Sequence, residues 1–250
     1  MLKARGVSVS FGGVHAVVDV DLEVGPGQLV GLIGPNGAGK TTFMNAVSSF
    51  VHLTAGRVLL GGLQVTNWKP ERLAKSGLVR TFQDVATFPA LTVFENVELG
   101  ALGAGLSRRA ARQRTRELLS RLGLRHLAEL LASALPHGEE RRVGIARAVA
   151  CSPRFLLLDE PAAGLDDTES LQLAENIAEI RNDLGCGVLL VEHDMRIIFR
   201  VCERIQVLDY GKSIAVGTPD EVRRNKQVIA AYLGQRGAQI AEAHQHAEDH

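Results

Sequence analysis

The sequence predicts an α/β protein with a mixed, mainly parallel sheet, an antiparallel β subdomain and an inserted helical subdomain. Three observations carry that expectation. The short apolar runs "LVGLI", "FLLLDEP" and "GVLLVEH" read as strands buried on both faces, the last two flanking a helical segment. The opening residues alternate instead, as half-buried strands do. From about residue 84 to 150 strand signals fade, and Leu, Ala and Arg take over.

In chain order, "VSVSF" and "AVVDVDLEV" read as strands, followed by a Gly-Pro-Gly turn at Gly25–Gly27 and the buried strand "LVGLI". A helix should begin near Gly39 and run through "KTTFMNAVSSF". "GRVLLGG" and "LQVT" form a hairpin turned at Gly61-Gly62. Leu118, Leu119, Leu122, Leu127, Leu130 and Leu131 recur at helical spacing within the inserted segment. The strand "FLLLDEP" is followed by a helix through "SLQLAENIAEIRNDLG", the strand "GVLLVEH", a closing hairpin "ERIQVLDYGKSIAVG" and a helix start at "PDEVRRN". Residues 237–250 are polar and read as a disordered tail outside the folded unit, residues 1–236.

Lys+Arg and Asp+Glu both number 28, so no global field favours nucleic acid or an anionic membrane. The Arg-rich stretch Arg108–Arg125 lacks interleaved aromatics and reads as the solvated face of an amphipathic helix. Three cysteines without a C-x-x-C pair argue against a disulfide framework or a zinc site and fit a reducing cytoplasm. Neither a signal peptide nor an apolar run of about 18 residues is evident, so a soluble chain is expected. The tail histidines His244, His246 and His250 do not make a specific metal site.

"GPNGAGKTT" fits the phosphate-binding pattern G-x-x-x-x-G-K-[ST], between a buried strand and a helix, which places a P-loop NTPase core in the α/β sheet. Gly34, Pro35, Asn36, Gly37, Ala38 and Gly39 allow backbone N–H groups to turn inward at a helix N-terminus. Lys40 supplies charge to the β/γ-phosphates of a nucleotide, while the hydroxyl of Thr41, followed by Thr42, is placed for Mg²⁺. A Gly-rich turn could match by accident, but the strand–loop–helix context weighs against it. Asp159 at the tip of "FLLLD" delivers a carboxylate to the sheet edge for Mg²⁺, and Glu160 beside it can polarise water. Strands often end in acids, so this match gains weight from its neighbours. A lone histidine is more often structural, but His193 ends a strand of the same sheet, at the edge where open α/β sheets bind ligands.

The order of these motifs resembles the ATP-binding subunit of ABC transporters, over about residues 3 to 234. The resemblance implies that Phe11 stacks on adenine and that Gln83, in "RTFQ", reaches toward Mg²⁺ and the reacting water. It implies that "GLD", ending at Asp166, crosses a dimer interface, with Glu160 the catalytic glutamate and His193 the switch histidine. "LPHGE" stands where the family carries Leu-Ser-Gly-Gly-Gln, the signature that packs on the γ-phosphate of ATP held by a partner cassette. Leu135 and Gly138 keep that pattern, whereas Pro136, His137 and Glu139 depart from it. Pro136 removes a hydroxyl and an N–H.

"FGGVHAV", "RTFQDVATFPALTVFENV", "EPAAGLD", "VEHDM" and the ending "GTPDEVRRNKQVIAAYLG" resemble the branched-chain amino-acid uptake branch. Urea or amide uptake and lipopolysaccharide export share part of these patterns. The resemblance implies ATP and Mg²⁺ as cofactors and a second cassette, identical or related, as partner. It also implies transmembrane permease subunits, indirectly a solute-binding protein, and a place at the cytoplasmic face of the membrane. A nucleic-acid-associated ATPase of the same superfamily would carry tandem cassettes or a long coiled coil. A GTPase would carry N-K-x-D, and "NKQV" at Asn225 lacks the Asp.

Overall fold

The computed structural model describes residues 1–81 and 87–233. β1 (Leu2–Phe11) and β2 (Val14–Val24) form an antiparallel hairpin, and the fully buried β3 (Leu29–Ile33) leads into α1 (Lys40–Val47). β4 (Ala55–Leu60) and β5 (Leu63–Gln64) pair through the expected Gly61-Gly62 turn. α2 (Pro70–Lys75) and the three-residue β6 (Leu78–Arg80) follow. The inserted helical region holds α3 (Val93–Gly103), α4 (Arg108–Arg121) and α5 (His137–Ala150). The chain then returns to the sheet with β7 (Phe155–Asp159), α6 (Asp167–Leu184), β8 (Gly187–Val191) and α7 (Met195–Val201). β9 (Arg204–Asp209), β10 (Lys212–Gly217) and α8 (Pro219–Arg224) come last among the named elements.

Two sheets result. One is antiparallel in the order β2-β1-β4-β5, and the other runs β10-β9-β3-β8-β7-β6. In the larger sheet β9, β3, β8, β7 and β6 are parallel, with β10 antiparallel at the edge. Its central strands are buried on both faces because alternate residues enter different cores. Val30, Leu32, Phe155, Leu157, Leu189 and Val191 join α1 and the antiparallel sheet. Leu29, Ile33, Leu156, Leu158, Val188 and Leu190 join the core containing the inserted helices, α6 and α7. Either face made polar would strip one layer from the sheet.

Parallel register has a functional consequence. Leu32 lies opposite Val191, and Val191 opposite Asp159. The loops after β3, β7 and β8 therefore leave one edge of the sheet together.

Several expectations need correction. The helix expected through Phe50 stops at Val47: Ser48 Oγ donates to the Met44 carbonyl at 2.6 Å, and Ser49 turns to φ 62°. The leucine periodicity from Leu118 to Leu131 does not make one helix. α4 ends at Arg121, Gly123 turns left-handed, and only a short 3₁₀ turn at Arg125–Leu127 follows. Leu130 and Leu131 are 46% and 47% exposed and do not line the core. Sequence patterning also missed α2, β6 and α7, each too short to show a period.

Candidate active site

The loop between β3 and α1 is shaped by steric necessity. A Cβ on Gly34 would lie 2.1 Å from the Leu208 carbonyl oxygen, and one on Gly39 would lie 2.5 Å from that of Ala16. Gly39 also sits at φ 96° as the N-cap of α1, where no side chain occupies the first N–H groups. α1 has no acidic residue in its first turn, so its positive end is not neutralised locally. A cleft of about 550 Å³ opens over this terminus, lined by Asn36 to Thr42 and by Glu160. Anionic groups fit such a site.

Lys40 is buried and curls back on its own loop, donating to the carbonyls of Gly34 at 2.7 Å and Pro35 at 3.0 Å. Burial lowers its pKa, while the Glu160 and Asp159 carboxylates act in the opposite sense. The ammonium is thus held beside the cleft by carbonyls that a phosphate can replace.

Asp159 is 1% exposed. Its Oδ2 accepts from Arg80 Nη2 at 2.7 Å, whereas its Oδ1 is buried with no hydrogen-bond partner. Arg80, at the end of β6, also donates to Asn45 Oδ1 on α1 at 2.6 Å and to Ser48 Oγ at the C-cap of α1 at 3.0 Å. The unmatched Oδ1 and the Thr41 hydroxyl are oxygen donors of the kind Mg²⁺ takes. Among the described residues no three His, Cys, Asp or Glu side chains cluster as a metal cage.

Glu160 follows with φ 47°, an uncommon conformation for a residue with a Cβ. Hydrogen bonds of its main chain hold it there: its N–H donates to Val191 O at 2.9 Å, and its carbonyl accepts from Arg141 Nη1 at 2.6 Å and from the Ala163 N–H at 3.2 Å. His193 stands after β8 with its side chain 60% exposed, and Nδ1 is 3.9 Å from Glu192 Oε2. Glu192 itself is fully buried, and its Oε1 accepts the Ala162 N–H at 2.7 Å. Burial pushes the Glu192 carboxyl up to about 7.

Phe11, half exposed at the end of β1, does not line the cleft; Val14, His15, Ala16 and Tyr210 do. Leu135 packs against the core and Pro136 is the N-cap of α5, without a side-chain capping bond. His137 Nε2 meets Arg141 Nη2 at 3.1 Å, and Glu139 pairs with Arg142 at 3.1 Å. Gly138 faces the start of α6 and the segment before it: a Cβ there would stand 3.0 Å from Leu165 Cδ2 and 3.4 Å from Glu169 Oε1. Asp166 caps α6, accepting from the N–H groups of Thr168 and Glu169 at 2.8 Å each. Leu135 to Glu139 and Asp166 do not line the phosphate-loop cleft of their own chain. Gln83 lies outside the described residues.

Sequence reasoning assigned no role to Arg80, Arg141 or Glu192. Arg141 is a buried arginine in the first turns of a helix. Glu192 is an acid directly after a buried strand, the same signal that singled out Asp159.

Comparison with known proteins agrees with this geometry. The sequence matches the ABC transporter family over residues 17–163, and residues 212–238 match the family of branched-chain amino acid ATP-binding cassette transporters. The high-affinity branched-chain amino acid transport ATP-binding protein LivG of Escherichia coli (strain K12) is 41% identical, over 94% of this chain and 98% of that protein. BraF of Pseudomonas aeruginosa, with the same description, is 38% identical over the same shares. The lipopolysaccharide export system ATP-binding protein LptB of E. coli (strain K12) is 36% identical over 94% and 97%. Among solved structures, the ADP conformation of an ATP-binding cassette of an ABC transporter superposes with a TM-score of 0.85 at 28% identity, covering 94% of this chain and 98% of that one. A dimeric cassette in a post-hydrolysis state, bound to ADP and Pi, gives 0.78 at 28% identity over 88% and 99%.

Proposed function

Because the chain belongs to the ABC transporter family as an ATP-binding cassette, we propose that it hydrolyses ATP to power uptake of branched-chain or related hydrophobic amino acids. The observation that carries this reading is the shared cleft of Lys40, Thr41 and Glu160. One opening there combines a helix N-terminus, a cation, a hydroxyl and a carboxylate. The amino-acid class is supported by the 41% identity to LivG and the match of residues 212–238, with lipopolysaccharide export less well supported at 36%.

In this mechanism the loop Gly34–Thr42 wraps the triphosphate, and Lys40 exchanges its two carbonyl partners for β/γ-phosphate oxygens. Thr41 and Asp159, with Gln83 from the segment outside the described residues, would hold Mg²⁺, whose charge offsets that of the phosphates. Glu160 polarises the attacking water, its position fixed by main-chain bonds on both sides. His193 reaches the γ-phosphate region from the neighbouring strand, and Phe11 stacks on adenine. The residues Leu135–Glu139 serve a second cassette's ATP, a reading supported by their absence from the lining of their own chain's cleft, and Asp166 lies at that dimer contact.

No helix among the described residues is long and apolar enough to cross a membrane, so transmembrane partners must supply the pathway. A groove of about 770 Å³ between β6 and helices α3 and α5, with Val79, Phe88, Leu99 and Ile145 in its walls, suits a cytoplasmic loop of such a permease. The working location is then the cytoplasmic face of the membrane, with a solute-binding protein acting through the permease.

The test is twofold. Isothermal titration should give Mg-ATP binding that Lys40→Ala removes. Reconstitution with its permease subunits should give ATPase activity stimulated by leucine, isoleucine or valine in the presence of the binding protein. Unchanged affinity in Lys40→Ala would reject the cleft, and stimulation by another solute class alone would reject the substrate assignment.

A further inference from the structure

The buried carboxylate of Glu192 takes no part in the mechanism above, yet it lies between the two segments that do. Its Oε1 accepts the Ala162 N–H at 2.7 Å, two residues beyond Glu160. Its Oε2 is buried without a hydrogen-bond partner of good geometry; the main-chain N–H of His193 acts on the carboxylate, and His193 Nδ1 stands 3.9 Å from Oε2. A buried carboxylate oxygen left open beside an exposed imidazole can be satisfied by rotation of that ring. We propose that Glu192 is a positioning residue: it ties the segment after Glu160 to the end of β8 and fixes the tautomer of His193.

The inference rests on the assignment of Glu160 and His193 to ATP hydrolysis. The proton arithmetic is simple. When Oε2 and Nδ1 share one proton, the pair is either a neutral acid with a neutral imidazole or a carboxylate with an imidazolium. In both cases Nε2 carries a hydrogen and can donate to an anion. When that proton leaves, the carboxylate accepts from Nδ1–H of a neutral ring, and Nε2 becomes an acceptor. It then presents a lone pair to phosphate oxygens. Above about pH 7 the Glu192 carboxyl loses its own proton, and the remaining charged neighbours oppose any further negative charge. Those neighbours are Glu160 on the loop after β7 and Asp194 at the start of α7, with His193 the titratable group on the other side.

Glu192→Gln keeps the side-chain shape. Its amide oxygen can take the Ala162 N–H while its NH₂ donates to Nδ1, which holds Nε2–H at every pH. The experiment has two arms on the full-length chain. In the first, ¹⁵N resonances of the His193 ring, assigned with His193→Gln, are followed from about pH 6 to 9 without nucleotide. The wild type should pass to the Nδ1–H tautomer at alkaline pH, and Glu192→Gln should remain Nε2–H. The same tautomer in both proteins across that range would overturn the proposal.

In the second arm, kcat and KM for Mg-ATP are measured across the same range. Wild-type kcat should fall about tenfold on the alkaline side, the loss of one hydrogen bond to a charged group, while Glu192→Gln stays nearly flat. KM should be unchanged in both. Parallel kcat profiles would overturn the proposal. If the wild type does not hydrolyse ATP, the functional assignment falls, and the tautomer measurement still decides the role of Glu192.

Discussion

Arg141 Nη1 donates to the main-chain carbonyl of Glu160 at 2.6 Å, while its Nη2 meets His137 Nε2 at 3.1 Å. One buried guanidinium thus joins the first turn of α5, which carries the signature-like residues, to the residue at φ 47° that follows Asp159. In a sandwich of two cassettes, the helix that contacts one ATP would be tied directly to the water-polarising residue of the other site.

Arg141→Met should therefore lower kcat about tenfold with little change in ATP affinity. It leaves the Glu160 carbonyl without its charged donor and frees a strained backbone. Stability should also fall, by about 1–3 kcal/mol. Urea denaturation and steady-state kinetics on the same preparation check both. Wild-type kcat in a destabilised variant would restrict Arg141 to a structural role.

Gly138→Asp should abolish most ATPase activity in the assembled transporter, and Gly138→Ala should cost much less. Any Cβ must displace Leu165 Cδ2 at 3.0 Å, but only Asp adds a negative charge near Glu169 Oε1 and the incoming phosphate. Transport and ATPase assays of the two variants side by side test this. Full activity of Gly138→Asp would make the segment a linker.

Pro136→Ser should raise basal activity severalfold at most and add about 1 kcal/mol of stability. Position 136 is an N-cap with no side-chain capping bond, and serine supplies one. Thermal melting with parallel ATPase assays provides the check.

The Glu192 carboxyl, raised by burial from 4.5 to about 7, gives the fold a pH dependence of definite sign. The native state holds this proton more tightly than the unfolded chain. The associated stability is complete below about pH 4.5 and is lost as pH rises through about 7. Glu192→Gln should escape that loss and be about 3 kcal/mol more stable than wild type at pH 8, with little difference near pH 4. Denaturant midpoints at the two pH values measure it, and an equal gap at both would assign the effect to packing.

The buried strands that deliver the phosphate loop, Asp159, Glu160 and His193 to one sheet edge were legible, because each is a short apolar run ending in polar residues, a pattern written locally. The parallel sheet was legible for the same reason. Arg80 and Arg141 were not, because their partners lie 79 and 19 residues away and their elements carry no period of their own that marks the contact. The leucines beyond Leu122 misled because spacing alone does not register the left-handed turn at Gly123.

The account stands or falls on an ATP-bound pair of cassettes with Glu160 acting on water. Its most direct test is light scattering of Glu160→Gln with Mg-ATP, combined with quantification of bound nucleotide. The expected result is a dimer that forms only with ATP, retains unhydrolysed ATP at both sites, and does not appear when Lys40→Ala is added. A nucleotide-loaded monomer at all protein concentrations, or hydrolysis at the wild-type rate, would contradict it.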